Sequence, residues 1–430
     1  MTDNDRPPRQ GIETAAPRER AVLVGLEAGE TRRWQVEDHL AELGQLALTA
    51  GAEVASTLVQ KLRAPNPAYY IGKGKADELR VLCEREEAKL VVFDDELSPA
   101  QVKNLQELTG CRVIDRTELI MDIFAQRARS REGKIQVELA QLHYMLPRLT
   151  RAWTHLSRQD GGIGTRGPGE QQLEVDRRRI RVKIQRLTDK LEEIVRERAT
   201  QGKQRRRKEI PVVALVGYTN AGKSTLMNAL TSAGVHVEDK LFATLDPTTR
   251  ELVLPKGRKA LLTDTVGFIR KLPHHLVESF KATLEGVAQA DLLLHVIDIS
   301  HPQAEEQIRA ACGVLAEIGA GGKPTIAVFN KTDLLVEESR LTRYARGFPV
   351  HAAVSAIRGT GCGDLREMIE EELARGMVSC RLAVPQSEAA LISRLHREGS
   401  VLSKKYEGDV VLIEAELSPA LARDVERYKI

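Results

Sequence analysis

Gly217-Tyr218-Thr219-Asn220-Ala221-Gly222-Lys223-Ser224 has the spacing of a loop that wraps phosphate. An apolar strand-like run precedes it and a helical pattern follows, which is the context such a loop needs. Its glycines let backbone N–H groups close around phosphate oxygens. Lys223 is expected to reach the β- and γ-phosphates, and the Ser224 hydroxyl to hold Mg²⁺, with Thr225 next in the helix's first turn. The helix N-terminus adds favourable partial positive charge. Downstream stands Asp264-Thr265-Val266-Gly267. The Asp264 carboxylate is expected on the magnesium side, acting through water. The Gly267 N–H is expected to contact the γ-phosphate and sense its loss. Asn330-Lys331-Thr332-Asp333 completes the order. A carboxylate at Asp333 can accept from both N1–H and the 2-amino group of guanine. Adenine offers no such pair of donors, so a buried carboxylate rejects it. Asn330 and Lys331 would brace the loop and cover the base, and Ser355-Ala356-Ile357 fits a segment that reaches guanine O6 through a backbone N–H. The order of the motifs favours GTP over ATP and a switch over a metabolic enzyme.

Phe242-Ala243-Thr244-Leu245-Asp246-Pro247-Thr248-Thr249 occupies the interval where a first switch must lie. Thr244 is the candidate to complete the magnesium shell. Thr248 and Thr249 are rivals, and a plain polar loop is the alternative. The candidate catalytic set is therefore Lys223, Thr244 and Gly267. Phe268 follows Gly267, where many GTPases carry a glutamine that orients the attacking water. Phenylalanine can neither donate nor accept, so hydrolysis by the isolated chain should be slow.

These loops need a sheet to carry them. Residues 20–115 alternate short apolar runs with helical patterns, which predicts a parallel α/β domain. From 116 to 208 the period turns helical: Ile135, Leu139, Leu142, Leu146 and Leu149, then Ile180, Ile184, Leu187, Leu191 and Ile194. The expectation is a two-helix antiparallel arm with a glycine-rich, non-helical loop at 161–170. Alternation resumes over 209–376, the nucleotide-binding domain with a mostly parallel sheet. Residues 377–430 read as strand, helix, two strands and helix, a small α+β domain. Residues 1–19 are polar, without an apolar signal segment, and are expected to be a disordered tail.

Bulk composition adds limits. At 430 residues the chain calls for several domains, and 42% hydrophobic content can fill their cores. A net charge of +3 means that any nucleic-acid surface must be local, and 4% aromatics argue against base stacking as the main RNA contact. Cys83, Cys111, Cys312, Cys362 and Cys380 have no metal-ligand spacing and read as reduced and structural. No apolar run approaches the roughly 20 residues that cross a bilayer.

With these residues in hand, the chain resembles the HflX family of ribosome-associated GTPases, in the Obg-HflX-like branch of the P-loop GTPases. The resemblance rests on Tyr69-Tyr70-Ile71-Gly72-Lys73-Gly74-Lys75, on Val113 to Ile120, on Glu132 to Leu142, on Gly167-Pro168-Gly169-Glu170, and on Phe242 to Asp246, which supports Thr244. A hydrophobic residue at Phe268 is also the family's habit, whereas residues 377 onward resemble it only loosely. The resemblance implies binding to the large (50S) ribosomal subunit, with the N-terminal domain and helical arm reaching rRNA. It also implies ribosome-stimulated GTP hydrolysis and, in some members, separation of subunits under stress. The expected protein is a cytoplasmic monomer that binds GTP, GDP and Mg²⁺, with neither DNA nor an integral membrane as partner.

The residues agree on one point. Arg148, Arg151, Arg158 and Arg166 flank or occupy the glycine-rich tip, and Arg177, Arg178 and Arg179 begin the returning helix. Phosphate contacts need such local charge, although a solvated helix face is the plainer alternative. Gly72-Lys73-Gly74-Lys75 lacks phosphate-loop spacing and reads as a turn leading into a helix. Two rival functions stay open: a GTP-gated ribosome assembly or storage factor whose hydrolysis is incidental, and an ATP-dependent RNA helicase, which Asp333 disfavours.

Overall fold

The computed structural model describes residues 18–29, 31–152, 168–206, 210–231, 241–242, 246–271, 286–335, 337–375, 378–417 and 419–430. It divides into two compact units, Met1–Asp122 and Ile123–Ile430.

In the first unit, β1 (Arg20–Glu27), β2 (Glu53–Lys61), β3 (Leu90–Phe93) and β4 (Arg112–Asp115) form one sheet in the order β2-β1-β3-β4, every pair parallel. Parallel pairing needs a crossover helix after each strand and apolar residues on both faces. Helices α1 (Arg33–Ala50), α2 (Lys73–Arg85) and α3 (Pro99–Thr109) are those crossovers. β3 is accordingly buried at all of Leu90, Val91, Val92 and Phe93. α3 starts on a capping box, with Ser98 accepting from the Gln101 N–H and Pro99 at the first helical position. Gly72 precedes α2 with extended dihedrals, and its N–H donates to Gln60 at 2.8 Å. Lys73 and Lys75 thus open a helix, and Lys75 pairs with Glu78 at 2.8 Å. At the carboxyl end of the sheet, buried Arg116 meets Asp94 at 2.8 Å and Glu42 at 2.9 Å. These ionic groups compensate one another where an α/β sheet often offers a ligand crevice.

The second unit begins within α4 (Arg116–Arg127) and continues through α5 (Arg131–Ala152) and α6 (Pro168–Arg206). Ile135, Leu139 and Leu142 of α5 pack against Leu187 of α6, flanked by Ile180, Ile184, Leu191 and Ile194, the expected seam. Pro168, Gly169 and Glu170 are helical and not part of the non-helical loop expected at 161–170, because proline at a first helical position sacrifices no hydrogen bond. Residues 161–167 of that loop lie outside the described residues.

Next comes a six-stranded sheet in the order β10-β9-β8-β5-β7-β6, built from β5 (Val212–Gly217), β6 (Thr248–Val253), β7 (Lys259–Asp264), β8 (Leu292–Asp298), β9 (Thr325–Asn330) and β10 (His351–Ala353). Only β6 runs antiparallel. Helices α7 (Lys223–Thr231), α8 (Ala304–Glu317), α9 (Glu338–Ala345) and α10 (Cys362–Ala374) accompany it. Neither β6 nor β10 was expected from the sequence. β6 buries only Leu252, and β10 spans just three residues.

A last antiparallel sheet, β11-β13-β12, comprises β11 (Val378–Pro385), β12 (Ser400–Glu407) and β13 (Val410–Leu417), with α11 (Ala389–Glu398) and α12 (Pro419–Asp424). β13 alternates strictly between buried and half-buried residues, the pattern of a sheet with one face on a core. The expected strand, helix, two strands and helix are what the chain forms. Among the described residues no helix is long and apolar enough to cross a membrane, and no cluster of histidine, cysteine and acidic residues suits a metal ion.

Candidate functional site

The expected site residues emerge from the carboxyl ends of adjacent strands, where an open α/β sheet places its ligand. Gly217 ends β5, Asp264 ends β7 and Asn330 ends β9.

Local sterics explain the glycines. Gly217 has φ +145°, and a Cβ there would stand 2.2 Å from the Val296 carbonyl oxygen. Gly222 has φ +91°, and a Cβ would stand 2.2 Å from Asn330 Nδ2. Any side chain at either position would force the loop open. Between them Asn220 takes a left-handed conformation at φ +58°. Asn330 then ties two loops together, donating to the Ala221 carbonyl at 2.8 Å and accepting from the Ala356 N–H at 3.0 Å.

Lys223 is buried, and its Nζ donates to the carbonyls of Gly217 at 3.2 Å and Tyr218 at 2.8 Å. Burial pushes its pKa down to about 8, against the attraction of Asp264. A cation held so far from water is one that an anionic ligand would stabilise. The Ser224 hydroxyl donates to Asp264 at 2.6 Å, so two hard oxygen donors meet at one point. Thr265 is turned inward, its hydroxyl on the Leu215 carbonyl at 2.6 Å, and Val266 is buried. A Cβ on Gly267 would lie 2.8 Å from Lys223 Nζ and 2.9 Å from Thr219 Cα, so this glycine is required by close approach. Thr219 is 6% exposed, and its hydroxyl has no hydrogen-bond partner among the described residues. That atom, the glycine cradle and the Ser224–Asp264 oxygens together suit a phosphate ester with a hard divalent cation. Thr225 is half-buried in α7.

Phe268 is 2% exposed and packs with Ala214, Val216, Val287 and Leu293. Its backbone pairs with the loop instead: Phe268 N–H donates to Gly217 at 3.0 Å, and Thr219 N–H donates to Phe268 at 2.6 Å. A ring committed to the core cannot orient water.

Asp333 accepts from the Ser355 hydroxyl at 2.6 Å, with Arg358 4.0 Å away. The hydroxyl, chiefly, holds its carboxyl below the usual range. Lys331, left-handed at φ +63°, is pinned to Asp298 at 2.7 Å. Thr332 N–H donates to Val354 at 3.2 Å. Ser355 and Ala356 are buried, and Ile357 is 78% exposed. Residues Ala243, Thr244 and Leu245 lie outside the described residues. Phe242 is buried, and the Asp246 carboxylate bonds the backbone ahead of α5. Thr248 and Thr249 begin β6, where Thr249 Oγ1 meets Thr263 Oγ1 across the ladder at 3.1 Å.

Sequence reading missed three supports: Asp298 under Lys331, the Ser355 hydroxyl on Asp333, and Tyr218, whose hydroxyl accepts from the Arg270 N–H at 2.8 Å. Only Asp298 carried a signal, as the carboxylate ending a strand. It also missed His295, buried in β8 beside the Phe348 ring, whose centroid is 6.1 Å away. Burial first, then the Lys223 charge, depress its pKa from 6.5 to about 4. Above pH 6.5 it is neutral in both folded and unfolded chains and contributes nothing. Below pH 6.5 only the unfolded chain takes the proton, so stability falls towards pH 4. The expected loss between pH 7 and pH 5 is about 2 kcal/mol, read as a lower urea midpoint, and His295→Phe should remove most of it.

Three family models match consecutive stretches: a GTP-binding GTPase N-terminal region over residues 37–125, a GTP-binding GTPase middle region over 127–205, and a 50S ribosome-binding GTPase over 212–331. The GTPase HflX of Caldanaerobacter subterraneus subsp. tengcongensis is 50% identical over 418 residues, 97% of this chain and 95% of that protein. The GTPase HflX of Escherichia coli is 47% identical over 393 residues, 91% of each. A GTP-binding protein of Sulfolobus solfataricus, solved in complex with GDP, is 26% identical with a TM-score of 0.45, covering 83% of this chain and 99% of that one.

Proposed function

The chain belongs to the HflX family of GTPases and hydrolyses GTP, and from that premise we propose that it is a Mg²⁺-dependent switch acting on the large ribosomal subunit. The observation that carries the switch reading is the junction at Asn330, which joins the phosphate loop to the segment behind Asp333. One side chain thereby sets the distance between a phosphate cradle and a guanine reader.

In this reading Lys223 and the backbone N–H groups of residues 219–224 bind the phosphates, and Asp333 reads the base. Ser224 and Thr244 would hold Mg²⁺ directly, and Asp264 through water. When bound, Mg²⁺ neutralises the negative charge shared by the phosphate oxygens. The Gly267 N–H detects the γ-phosphate, so residues 242–249 and 264–271 are the segments whose order depends on the nucleotide. The buried ring of Phe268 leaves water orientation to the backbone, to another switch residue or to a partner, which makes hydrolysis slow in isolation and stimulated by the particle it binds. The same burial favours a second reading, a GTP-gated assembly or storage factor in which turnover is incidental.

Ribosome engagement is supported by the 50S ribosome-binding GTPase model over residues 212–331 and by exposed Arg178, Arg179, Arg181 and Arg186 on α6. The N-terminal domain (20–115) and the arm (116–208) would reach rRNA, and residues 209–376 would carry the switch, in a cytoplasmic monomer that helps split, rescue or recycle ribosomes. Co-sedimentation with purified 50S and 70S particles tests this. Recovery with the particles should be highest with a non-hydrolysable GTP analogue and lowest with GDP, and 50S should accelerate turnover. Equal recovery in every nucleotide state would refute the switch. Nucleotide-gated binding without acceleration would favour the assembly or storage reading.

A further inference from the structure

Asp246 lies in the first-switch stretch, yet its carboxylate bonds a helix of the arm. One oxygen accepts from the N–H groups of Arg129, at 3.0 Å, and Ser130, at 2.8 Å. The other accepts from the Ser130 hydroxyl. Ser130 immediately precedes α5, and its Oγ accepts from the Gly133 N–H at 2.9 Å, so it caps the helix. Asp246 therefore secures the capping residue and sets a negative charge at the positive end of a 22-residue helix. The fit is close: a Cβ on Gly133 would stand 2.7 Å from Asp246 Oδ1 and 3.1 Å from Ser130 Oγ. Four positions earlier the ring of Phe242 meets that of Phe124 edge-on, centroids 4.7 Å apart. Phe242 is 3% exposed and left-handed at φ +56°, a conformation that packing must maintain. Two anchors that bracket Thr244 in the sequence thus both fall on residues 124–130.

The geometry points to Asp246 as a positioning residue that couples the first switch to the N-terminus of α5. The nucleotide held by the switch decides whether that helix end is secured, and by reciprocity the helix end biases the switch. Ser130 alone suffices for an ordinary cap. The distinctive feature is a carboxylate arriving from 116 residues away to take the N–H of Ser130 and the neighbouring N–H of Arg129.

This inference rests on the GTPase reading, so nucleotide uptake is measured first, by calorimetry with GDP and a non-hydrolysable GTP analogue. Amide hydrogen exchange over residues 128–134 is then compared between the two complexes. In the natural chain the rates should differ at least tenfold. In Asp246→Ala and Gly133→Ala exchange should be fast and equal in both complexes, and, as reciprocity requires, the ratio of the two nucleotide affinities should shift by about the factor that separates the exchange rates in the natural chain. Gly133→Ala tests whether Asp246 secures the helix end: alanine is the better helix former, so faster exchange means that the methyl has displaced Asp246. The difference between the two complexes is what separates coupling from a fixed anchor. Equal exchange in the two complexes of the natural chain, with uptake intact, overturns the coupling, and it does so even should a variant fail to fold. A nucleotide response that survives in both variants overturns it as well. Absent uptake instead sinks the GTPase reading itself.

Discussion

Asp333→Asn should weaken GTP binding by roughly 10²- to 10⁴-fold and turn the preference towards a xanthine nucleotide. The carboxylate offers guanine two acceptors, one for N1–H and one for the 2-amino group. An amide keeps one acceptor and aims its own NH₂ at the other donor. The loss is one hydrogen bond to a charged group, about 1.5–3 kcal/mol, plus a desolvated donor without a partner, about 1–3 kcal/mol. Their sum, at about 1.4 kcal/mol per decade, gives the stated range. Xanthine carries an oxygen where guanine has the amino group, so the amide's NH₂ becomes a match. The fold should tolerate the change, because the Ser355 hydroxyl that donates to Asp333 at 2.6 Å can donate equally to the amide oxygen. Competition calorimetry with GTP, XTP and ATP reads the outcome. A variant that still prefers GTP would mean that another group reads the base.

Legibility in the sequence followed how local each determinant was. The phosphate loop could be read because its glycines, its lysine and the flanking strand and helix lie within one contiguous stretch. The alternation that predicts parallel sheets survives because both faces of those strands are covered, leaving apolar runs such as Leu292–Asp298, buried throughout. β6 escaped notice because an edge strand with one buried residue carries no periodic signal. The helical start at Pro168 was obscured because proline and glycine have opposite meanings inside a helix and at its first turn. Polar contacts between distant loop residues had no signature of their own. Nothing in Asp246 names Ser130 as its partner, and nothing in Ser355 names Asp333, 22 residues away. Both are short polar residues that any loop could hold. Sequence chemistry names the groups expected to meet a guanine nucleotide, while the bonds that orient those groups arise from the fold.

Lys223→Ala should abolish the nucleotide's stabilising effect while leaving the free protein nearly as stable as before. Two opposing changes make the second half of that expectation. The ammonium is buried, and the desolvation that lowers its pKa to about 8 is relieved when it is removed. Against that, the Gly217 and Tyr218 carbonyls each lose one donor and Asp264 loses a neighbouring cation, although Gly217 keeps the Phe268 N–H, Tyr218 the Ala221 N–H and Asp264 the Ser224 hydroxyl. With the nucleotide present there is no such balance. The β- and γ-phosphates would face a loop without its charge-assisted donor, a loss of about 1.5–3 kcal/mol for each bond. In the natural chain, nucleotide with Mg²⁺ at 100 times its dissociation constant should add about 2.7 kcal/mol to stability. At the same concentration a variant that binds 10³-fold more weakly gains less than about 0.1 kcal/mol by the same relation. Thermal melts with and without Mg²⁺-GDP make the comparison directly. Equal ligand-induced shifts in the two proteins would remove Lys223 from the phosphate site. A variant that melts far lower without ligand would instead make the lysine a structural strut between β5 and its loop.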